Sequence, residues 1–189
     1  RYLIDEHNHT GYAQVLEEYN HTSGLVAENM FGLDLIATEV GSWTTRRYHL
    51  HDGHGSVRGV TDHQGNLTDE LTYDAHGVLL AQPTDSGTAE VYRYAGERWD
   101  PDLGLYYLRA RYHSPEIGRF QSMDSYEGRP GDPVSLHKYL YANADPVTYK
   151  DPSGYVSMTE TTASMGIQAS LRSMSFHACL LYTSDAADE

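Results

Sequence analysis

Two short segments repeat at a fixed distance along the chain and restrict it to a few folds. Residues 51–55, HDGHG, and residues 73–77, YDAHG, align with a shift of 22 residues, and Gly65-Asn66 supplies a turn between them. An Asp side chain can accept a hydrogen bond from a backbone N–H two residues later, and the Gly that follows tolerates positive φ. Each Asp-x-x-Gly segment therefore predicts a tight connection between two strands. Hairpins of this size need neighbours to bury a face, so the repeat predicts stacking.

The repeat continues less regularly toward the C-terminus. A third copy begins near Tyr92 and Tyr94, and a fourth near Tyr112, where His113-Ser114 replace the expected Tyr-Asp. The chain has 16 tyrosines but 3 phenylalanines. Tyrosine suits half-buried strands, because its ring packs while its hydroxyl reaches water or a carbonyl oxygen. Together these features predict an all-β fold.

Two further elements can be predicted within the C-terminal half. The alternation in residues 106–112 predicts one strand, which places Arg109 and Arg111 on one face. The opposite face carries Tyr106, Leu108, Ala110 and Tyr112. Residues 134–141 follow an Asp-Pro pair and predict the one short helix of this region.

Charge and hydropathy exclude two classes of partner. The formal net charge is −14, and the chain has only two lysines, Lys138 and Lys150. Because nucleic-acid binding needs clustered Lys and Arg, we expect no nucleic-acid partner. No run of 18 or more apolar residues occurs, so we expect no membrane span in this chain.

The sequence gives little support for a metal or another cofactor. Cys179 is the single cysteine, which excludes both a disulfide and a pair of thiolate ligands. His49 with His51, and His7 with His9, would each lie on one face of a strand. No partner carboxylate or thiolate accompanies these pairs, and we predict that the chain binds no cofactor and no metal.

The longest informative stretch covers residues 92–154. It begins YRYAGERWDPDLGLYYLRARYHSPEIGRFQSMD and, after Ser-Tyr, continues EGRPGDPVSLHKYLYANADPVTYKDPSG. Over its full length this stretch is similar to the core of the Rhs/YD-repeat proteins. The resemblance implies stacked hairpins that form part of a spiralling β-sheet shell, closed by a small mixed core-domain plug. It also implies a bacterial protein that is secreted or displayed at the cell surface.

The same resemblance divides the chain into segments. It predicts a pre-core β segment, a pair of YD-type repeats, the repeat-associated core and the start of a variable C-terminal region, at residues 1–47, 48–91, 92–155 and 156–178. Residues 179–189, CLLYTSDAADE, resemble the translation of a sequencing adapter and are expected to be an artefact. Because the chain opens at Arg1 without a methionine and ends in this adapter-like segment, we expect the natural protein to extend beyond both ends.

In toxin-bearing members of the family, the core is an aspartyl protease that cuts its own chain after a terminal Asp-Pro-x-Gly-Leu motif. The resemblance places the two acids at Asp124 and Asp151, and it gives Arg119 a positioning role. Tyr155 stands where the family has Leu and marks the cleavage site. Two carboxylates at hydrogen-bond distance share a proton, so one activates water while the other polarises the scissile carbonyl.

Two functions therefore remain open. In the first, the chain closes a β-cocoon around its own C-terminal effector, a polymorphic toxin, and acts as a single-turnover autoprotease; secretion or cell-surface components are further partners. In the second, Asp124 and Asp151 are turn residues selected for hydrogen bonding alone. The protein is then a structural or adhesive cell-surface YD-repeat protein without protease activity.

Overall fold

The computed structural model describes residues 1–8, 10–22, 24–81, 91–155 and 158–159. Over these residues the secondary structure is antiparallel β-sheet, with no helix beyond short 3₁₀ turns at Trp43–Thr45, Tyr94–Gly96, Val134–Leu136 and Ala142–Ala144. The predicted all-β class is confirmed. Segment 179–189 and most of the variable region lie outside the described residues.

The N-terminal half forms one sheet of seven strands that lie side by side in chain order. Its strands are β1 (Tyr2–Asp5), β2 (Gln14–Tyr19), β3 (Leu25–Phe31), β4 (Leu35–Glu39), β5 (Arg47–His51), β6 (Val57–Thr61) and β7 (Leu67–Glu70). Every neighbouring pair is antiparallel. This meander is what a row of hairpins with tight turns produces, and it includes every strand from β1 to β7.

The C-terminal half consists of smaller sheets. A hairpin of β8 (Thr72–Tyr73) and β9 (Leu79–Ala81) precedes a sheet of β10 (Arg98–Asp100), β11 (Leu105–Leu108), β12 (Arg111–Ser114) and β13 (Arg119–Phe120). The last pair joins β14 (Tyr149–Lys150) to β15 (Met158–Thr159). These sheets carry the residues predicted to perform chemistry.

The Asp-x-x-Gly turns form as predicted. In the turns at residues 52–55, 62–65, 74–77 and 151–154, the glycine N–H donates to the aspartate carbonyl oxygen at 3.0 to 3.3 Å. In the first three, the aspartate Oδ1 accepts hydrogen bonds from the N–H groups two and four residues later. Their glycines have φ between +80° and +93°, a region that side chains with a Cβ rarely enter.

Tyrosines join the repeat turns to the core sheet. The hydroxyl of Tyr106 donates to the Gly77 carbonyl oxygen at 2.9 Å, and that of Tyr94 donates to the Ala75 carbonyl oxygen at 2.9 Å. Both rings are buried, and they pack in one cluster with apolar residues of the seven-stranded sheet and the core: Val57, Val60, Leu71, Tyr73, Leu108, Phe120, Tyr141 and Ala142. The tyrosine hydroxyls thus reach carbonyl oxygens, as composition indicated.

Two predicted elements take a different form. Residues 106–112 do not form one strand: β11 ends at Leu108, β12 begins at Arg111, and the residues between them make a hairpin turn with Arg109 at φ +57°. Leu108 therefore lies opposite Arg111, which places Arg111 on the buried face rather than on the opposite one. The helix predicted at residues 134–141 is reduced to the 3₁₀ turn Val134–Leu136, because Leu140 pairs with Arg119 in an extended conformation.

Candidate active site

Three charged side chains meet beneath the β11–β12 hairpin. Nη2 of Arg111 lies 3.0 Å from Oδ2 of Asp124 and 3.6 Å from Oδ2 of Asp151. The side chains of Arg111, Asp124 and Asp151 are 5%, 14% and 2% exposed. The two aspartates named by the sequence are thus brought to one guanidinium nitrogen, in a place from which most water is excluded.

Each member of this group is positioned by a different element. Arg111 opens β12, whereas Asp124 follows β13 and its backbone N–H donates to the Lys138 carbonyl oxygen at 2.8 Å. Asp151 comes directly after β14 and begins the last Asp-x-x-Gly turn. The site therefore forms only when the core sheet, the segment around Lys138 and the terminal turn are folded together.

Arg111 makes further contacts that fix its orientation. Its Nη1 donates to the Lys138 carbonyl oxygen at 3.2 Å, its Nε donates to the Gly154 carbonyl oxygen, and its guanidinium carbon lies 3.7 Å from the centre of the Phe120 ring. Burial lowers the pKa of Arg111, and the negative charges of Asp124 and Asp151 oppose that shift. A buried cation held in this way offsets the repulsion between the two carboxylates.

The terminal turn, residues 151–154, lies against the β11–β12 hairpin. Asp151 Oδ1 accepts hydrogen bonds from the Tyr155 N–H at 3.1 Å and from Ser153 Oγ at 3.0 Å. Gly154 has φ +73°, and a Cβ on it would overlap the Leu108 carbonyl oxygen and lie 3.0 Å from the Arg111 nitrogen. A glycine is therefore required here for two reasons, its conformation and its close approach to the hairpin.

A second arginine supports the same turn. Arg109 Nη1 donates to both carboxylate oxygens of Glu97, at 3.0 and 2.9 Å, and to the Pro152 carbonyl oxygen. Glu97 is buried, and its burial raises the pKa of its carboxyl group against the opposing effect of Arg109. A buried acid is normally found with such a partner, because an unpaired buried charge is strongly unfavourable.

The other two predicted site residues lie at the margin of this group. Arg119 is exposed on β13, where it pairs with Ser114 of β12 and Leu140, so its contact with the site runs through the backbone. Tyr155 follows the terminal turn and is 55% exposed. The arginine that touches both acids is Arg111, which the sequence had placed on the opposite face of a single strand.

The histidines of β5 contact backbone carbonyl oxygens or are buried in the fold. The ring nitrogens of His51 lie 2.8 Å from the Leu35 carbonyl oxygen and 3.0 Å from that of Gly55, and His49 is buried in the same strand. His9 lies outside the described residues. Where side chains are described, no group of three or more His, Cys, Asp or Glu residues could hold a metal ion, and no helix is long and apolar enough to cross a membrane.

Comparison with known proteins finds relatives named as toxins and nucleases, although no family model matches. The chain is 38% identical over 142 residues to the tRNA(Glu)-specific nuclease WapA of Bacillus subtilis subsp. natto, covering 75% of this chain and 6% of that protein. It is 40% identical over 108 residues to toxin protein Tse5 of Pseudomonas aeruginosa, covering 57% of this chain and 8% of that protein. It therefore spans a small part of these relatives.

A relative of another kind is salivary gland surface protein 1 of Aedes aegypti, 33% identical over 123 residues, which cover 64% of this chain and 3% of that protein. Among solved structures, TcdB2–TccC3 without its hypervariable C-terminal region matches with a TM-score of 0.57 and 25% identity, over 73% of this chain and 7% of that one. The sequence relatives and the shared β-fold are consistent with the resemblance to Rhs proteins. The chain is thus related to toxin proteins many times its length.

Proposed function

We propose that this chain is the terminal part of an Rhs/YD-repeat β-cocoon that encloses a downstream effector, and that its core cuts the chain once, after Tyr155. The observation that carries the proposal is the meeting of Asp124 and Asp151 on Arg111, whose Nε also binds the carbonyl oxygen of Gly154. The acids are therefore adjacent to the peptide group that precedes the proposed cleavage site.

The chemistry is that of an aspartyl protease. One carboxylate takes a proton from a water molecule, whose oxygen adds to the carbonyl carbon of Tyr155, while the other carboxyl group donates its proton to the carbonyl oxygen. The resulting gem-diol collapses, the C–N bond to Val156 breaks, and the nitrogen takes up a proton. The products are a carboxyl group on Tyr155 and an amine on Val156, and one water molecule is consumed.

Three features of the site favour this reaction. The substrate belongs to the same chain, so proximity replaces binding and a modest catalyst can complete its one turnover. Burial of Asp151 and Arg111 excludes competing water and strengthens their interaction with the charge that develops on the carbonyl oxygen. Arg119 acts as a positioning residue, since β13 pairs with the strand that carries Arg111.

The role in a toxin shell is supported by the seven-stranded meander and by the relatives. A continuous row of antiparallel hairpins can be extended strand by strand, which is the geometry that a spiralling wall requires. Because WapA is named as a tRNA nuclease and Tse5 as a toxin, we infer that the cargo of this shell is a toxin polypeptide downstream of residue 155. The whole protein is then secreted or displayed at the cell surface.

Self-cleavage can be tested by measuring the mass of the purified chain and of matched aspartate variants. We expect the parent to yield two fragments and Asp124→Asn and Asp151→Asn to remain intact. Asp62→Asn is the control, because Asp62 occupies the same kind of turn but lies in an exposed hairpin of the seven-stranded sheet. Cleavage of the parent and all three variants alike would contradict the protease.

A second function is favoured by the relative named as a surface protein. Here the Arg111 group is a structural ion cluster, and the shell is an adhesive or structural element without cargo. Asp151 then serves the terminal turn as the other aspartates serve theirs. An intact parent chain with a cooperative unfolding transition would support this alternative.

A further inference from the structure

Three consecutive residues of the β11–β12 hairpin, residues 109–111, bind three consecutive carbonyl oxygens of the terminal turn. The Arg109 side chain donates to the Pro152 carbonyl oxygen, the Ala110 N–H donates to that of Ser153 at 3.3 Å, and the Arg111 side chain donates to that of Gly154. Such a one-to-one match fixes the position of the bound segment along the hairpin, because a shift by one residue would break all three hydrogen bonds at once.

The fit of Gly154 fixes the same position by shape. The site of its missing Cβ is occupied by the Leu108 carbonyl oxygen and is close to the Arg111 nitrogen and the Ala110 Cβ. Any other residue brought to this place by a shift would collide with the hairpin backbone, which cannot move without breaking the β11–β12 pairing.

Arg109 also has partners outside the terminal turn. Arg109 lies at the hairpin turn with φ +57°, its guanidinium is paired with buried Glu97, and its Nε donates to the Ala13 carbonyl oxygen at 3.2 Å. The Tyr12 ring covers it, with 5.4 Å between the guanidinium carbon and the ring centre. A long side chain fixed in this way loses little conformational entropy when it binds.

We propose that residues 109–111, together with the Leu108 carbonyl oxygen, form the substrate-binding site of the self-cleavage reaction, which we name the carbonyl cradle. This inference rests on the proposed function. The cradle holds the carbonyl groups of residues 152–154, and Asp151 accepts a hydrogen bond from the Tyr155 N–H, so we place the next carbonyl group, that of Tyr155, within reach of the two acids. Arg109 is a positioning residue, and Arg111 contacts both the substrate and the acids.

The cradle recognises backbone, not side chains, on the segment before the cut. It donates hydrogen bonds to carbonyl oxygens, and it leaves no room for a Cβ on the residue at position 154. Tyr155 is 55% exposed, so the folded chain buries less than half of this residue. The replacement of the family's Leu by Tyr155 should therefore leave the choice of bond unchanged.

The first part of the test follows self-cleavage of the 189-residue chain by mass and by time course. We expect Tyr155→Leu and Tyr155→Ala to cut at the same bond as the parent and within about twofold of its rate. Arg109→Ala should slow cleavage by about tenfold or more through loss of positioning, and Arg109→Lys should restore part of the rate. Gly154→Ala should prevent it. The control is Arg46→Ala, which removes an ion pair with Glu39 of β4.

Equal rates for Arg109→Ala and Arg46→Ala, or a marked loss in Tyr155→Leu, would overturn the cradle. Melting temperatures of the same variants, measured in the Asp124→Asn background to prevent cleavage, show whether each is folded. A folded Arg109→Ala chain that is cut slowly, or cut at a new bond, supports positioning rather than loss of structure.

The second part does not depend on cleavage. In Asp124→Asn, the ¹³C chemical shifts of the Pro152 and Ser153 carbonyl groups are compared with and without Arg109→Lys. A change centred on Pro152 supports the hydrogen bond from Arg109 even if the parent is never cut, an outcome that would refute the protease and with it the cradle's role in cleavage. Unchanged shifts at Pro152 would refute the cradle whether or not the parent is cut.

Discussion

His113 is a buried titratable residue at the centre of the core. It is fully buried, and its ring stacks on Tyr141 with 4.1 Å between the ring centres. Within the described residues, neither ring nitrogen has a hydrogen-bond partner. Burial lowers the pKa of His113 to about 3. The charge of His76 adds a smaller lowering, and that of Asp74 opposes it.

This shift predicts that the fold is weakened by acid. Below pH 6.5 the unfolded chain takes up a proton at His113 and the folded chain does not, so stability is lost as the pH falls from 6.5 toward 3. The loss should reach about 2 kcal/mol by pH 5. Glu97 acts in the opposite sense, because its raised pKa favours the folded state at low pH.

Urea unfolding of the Asp124→Asn chain between pH 7.5 and pH 5 measures this effect. His113→Phe keeps an aromatic ring against Tyr141 but cannot titrate, and we expect it to flatten the dependence on pH whatever its absolute stability. An equal loss of stability in both chains would show that another group is responsible.

The hydrogen bond of the Tyr106 hydroxyl should also contribute to stability. The hydroxyl is buried and donates to the Gly77 carbonyl oxygen, so Tyr106→Phe should lower the free energy of unfolding by about 1 kcal/mol or more. Tyr107 is its neighbour in β11 but is 39% exposed, and Tyr107→Phe should change stability by less than about 0.5 kcal/mol. Equal effects of the two substitutions in urea unfolding would contradict this role for the hydroxyl.

At the scale of elements, sequence patterns predicted the positions of turns better than the face of a strand on which a side chain lies. The Asp-x-x-Gly turns could be predicted because their hydrogen bonds are local and their glycines are marked. The β11–β12 turn carries neither Gly nor Asn, so residues 106–112 looked like one strand and Arg111 was placed on the wrong face. The buried residues are mirrored about the turn, with Tyr106 and Leu108 before it and Arg111 and His113 after it, an order that only the structure reveals.

The meeting of Asp124, Asp151 and Arg111 could not be derived from local patterns. The three residues come from separate elements, and their contact depends on the backbone pairing of residues 138–140 with β13 and the segment that follows it. Family resemblance named the two acids, whereas the arginine that joins them required the tertiary structure.

The pairing of β14 with β15 predicts what happens after cleavage. Lys150 lies opposite Met158 and Tyr149 opposite Thr159, so this ladder joins the two sides of the bond between residues 155 and 156. We expect the released fragment to remain bound and to co-elute with residues 1–155 in size-exclusion chromatography. Met158→Pro removes a backbone N–H and should weaken this association, whereas Met158→Ala keeps it and should not. Dissociation of the parent fragments on cutting would contradict a role for this ladder.

At the scale of the whole molecule, the edge strand β1 of the seven-stranded sheet is a candidate site of self-association. β1 is the first strand in the sheet order and, in the described part of the chain, pairs with β2 alone; Tyr2, Leu3 and Ile4 are about half exposed there. An exposed apolar edge strand is a template for pairing with another chain. We expect concentration-dependent self-association by light scattering, reduced by Ile4→Lys. Equal association of both chains would show that β1 is not the contact.

The self-cleavage proposal is tested most directly by N-terminal sequencing of fragments from the purified chain and from Asp151→Asn. We predict that the parent yields a new N-terminus beginning Val156-Ser157-Met158, and that Asp151→Asn, folded as judged by its urea transition, yields none. A parent that keeps its full mass of 21.2 kDa after prolonged incubation, or a new N-terminus at another bond, would contradict the assignment of Asp124, Asp151 and Arg111 as a self-cleavage site.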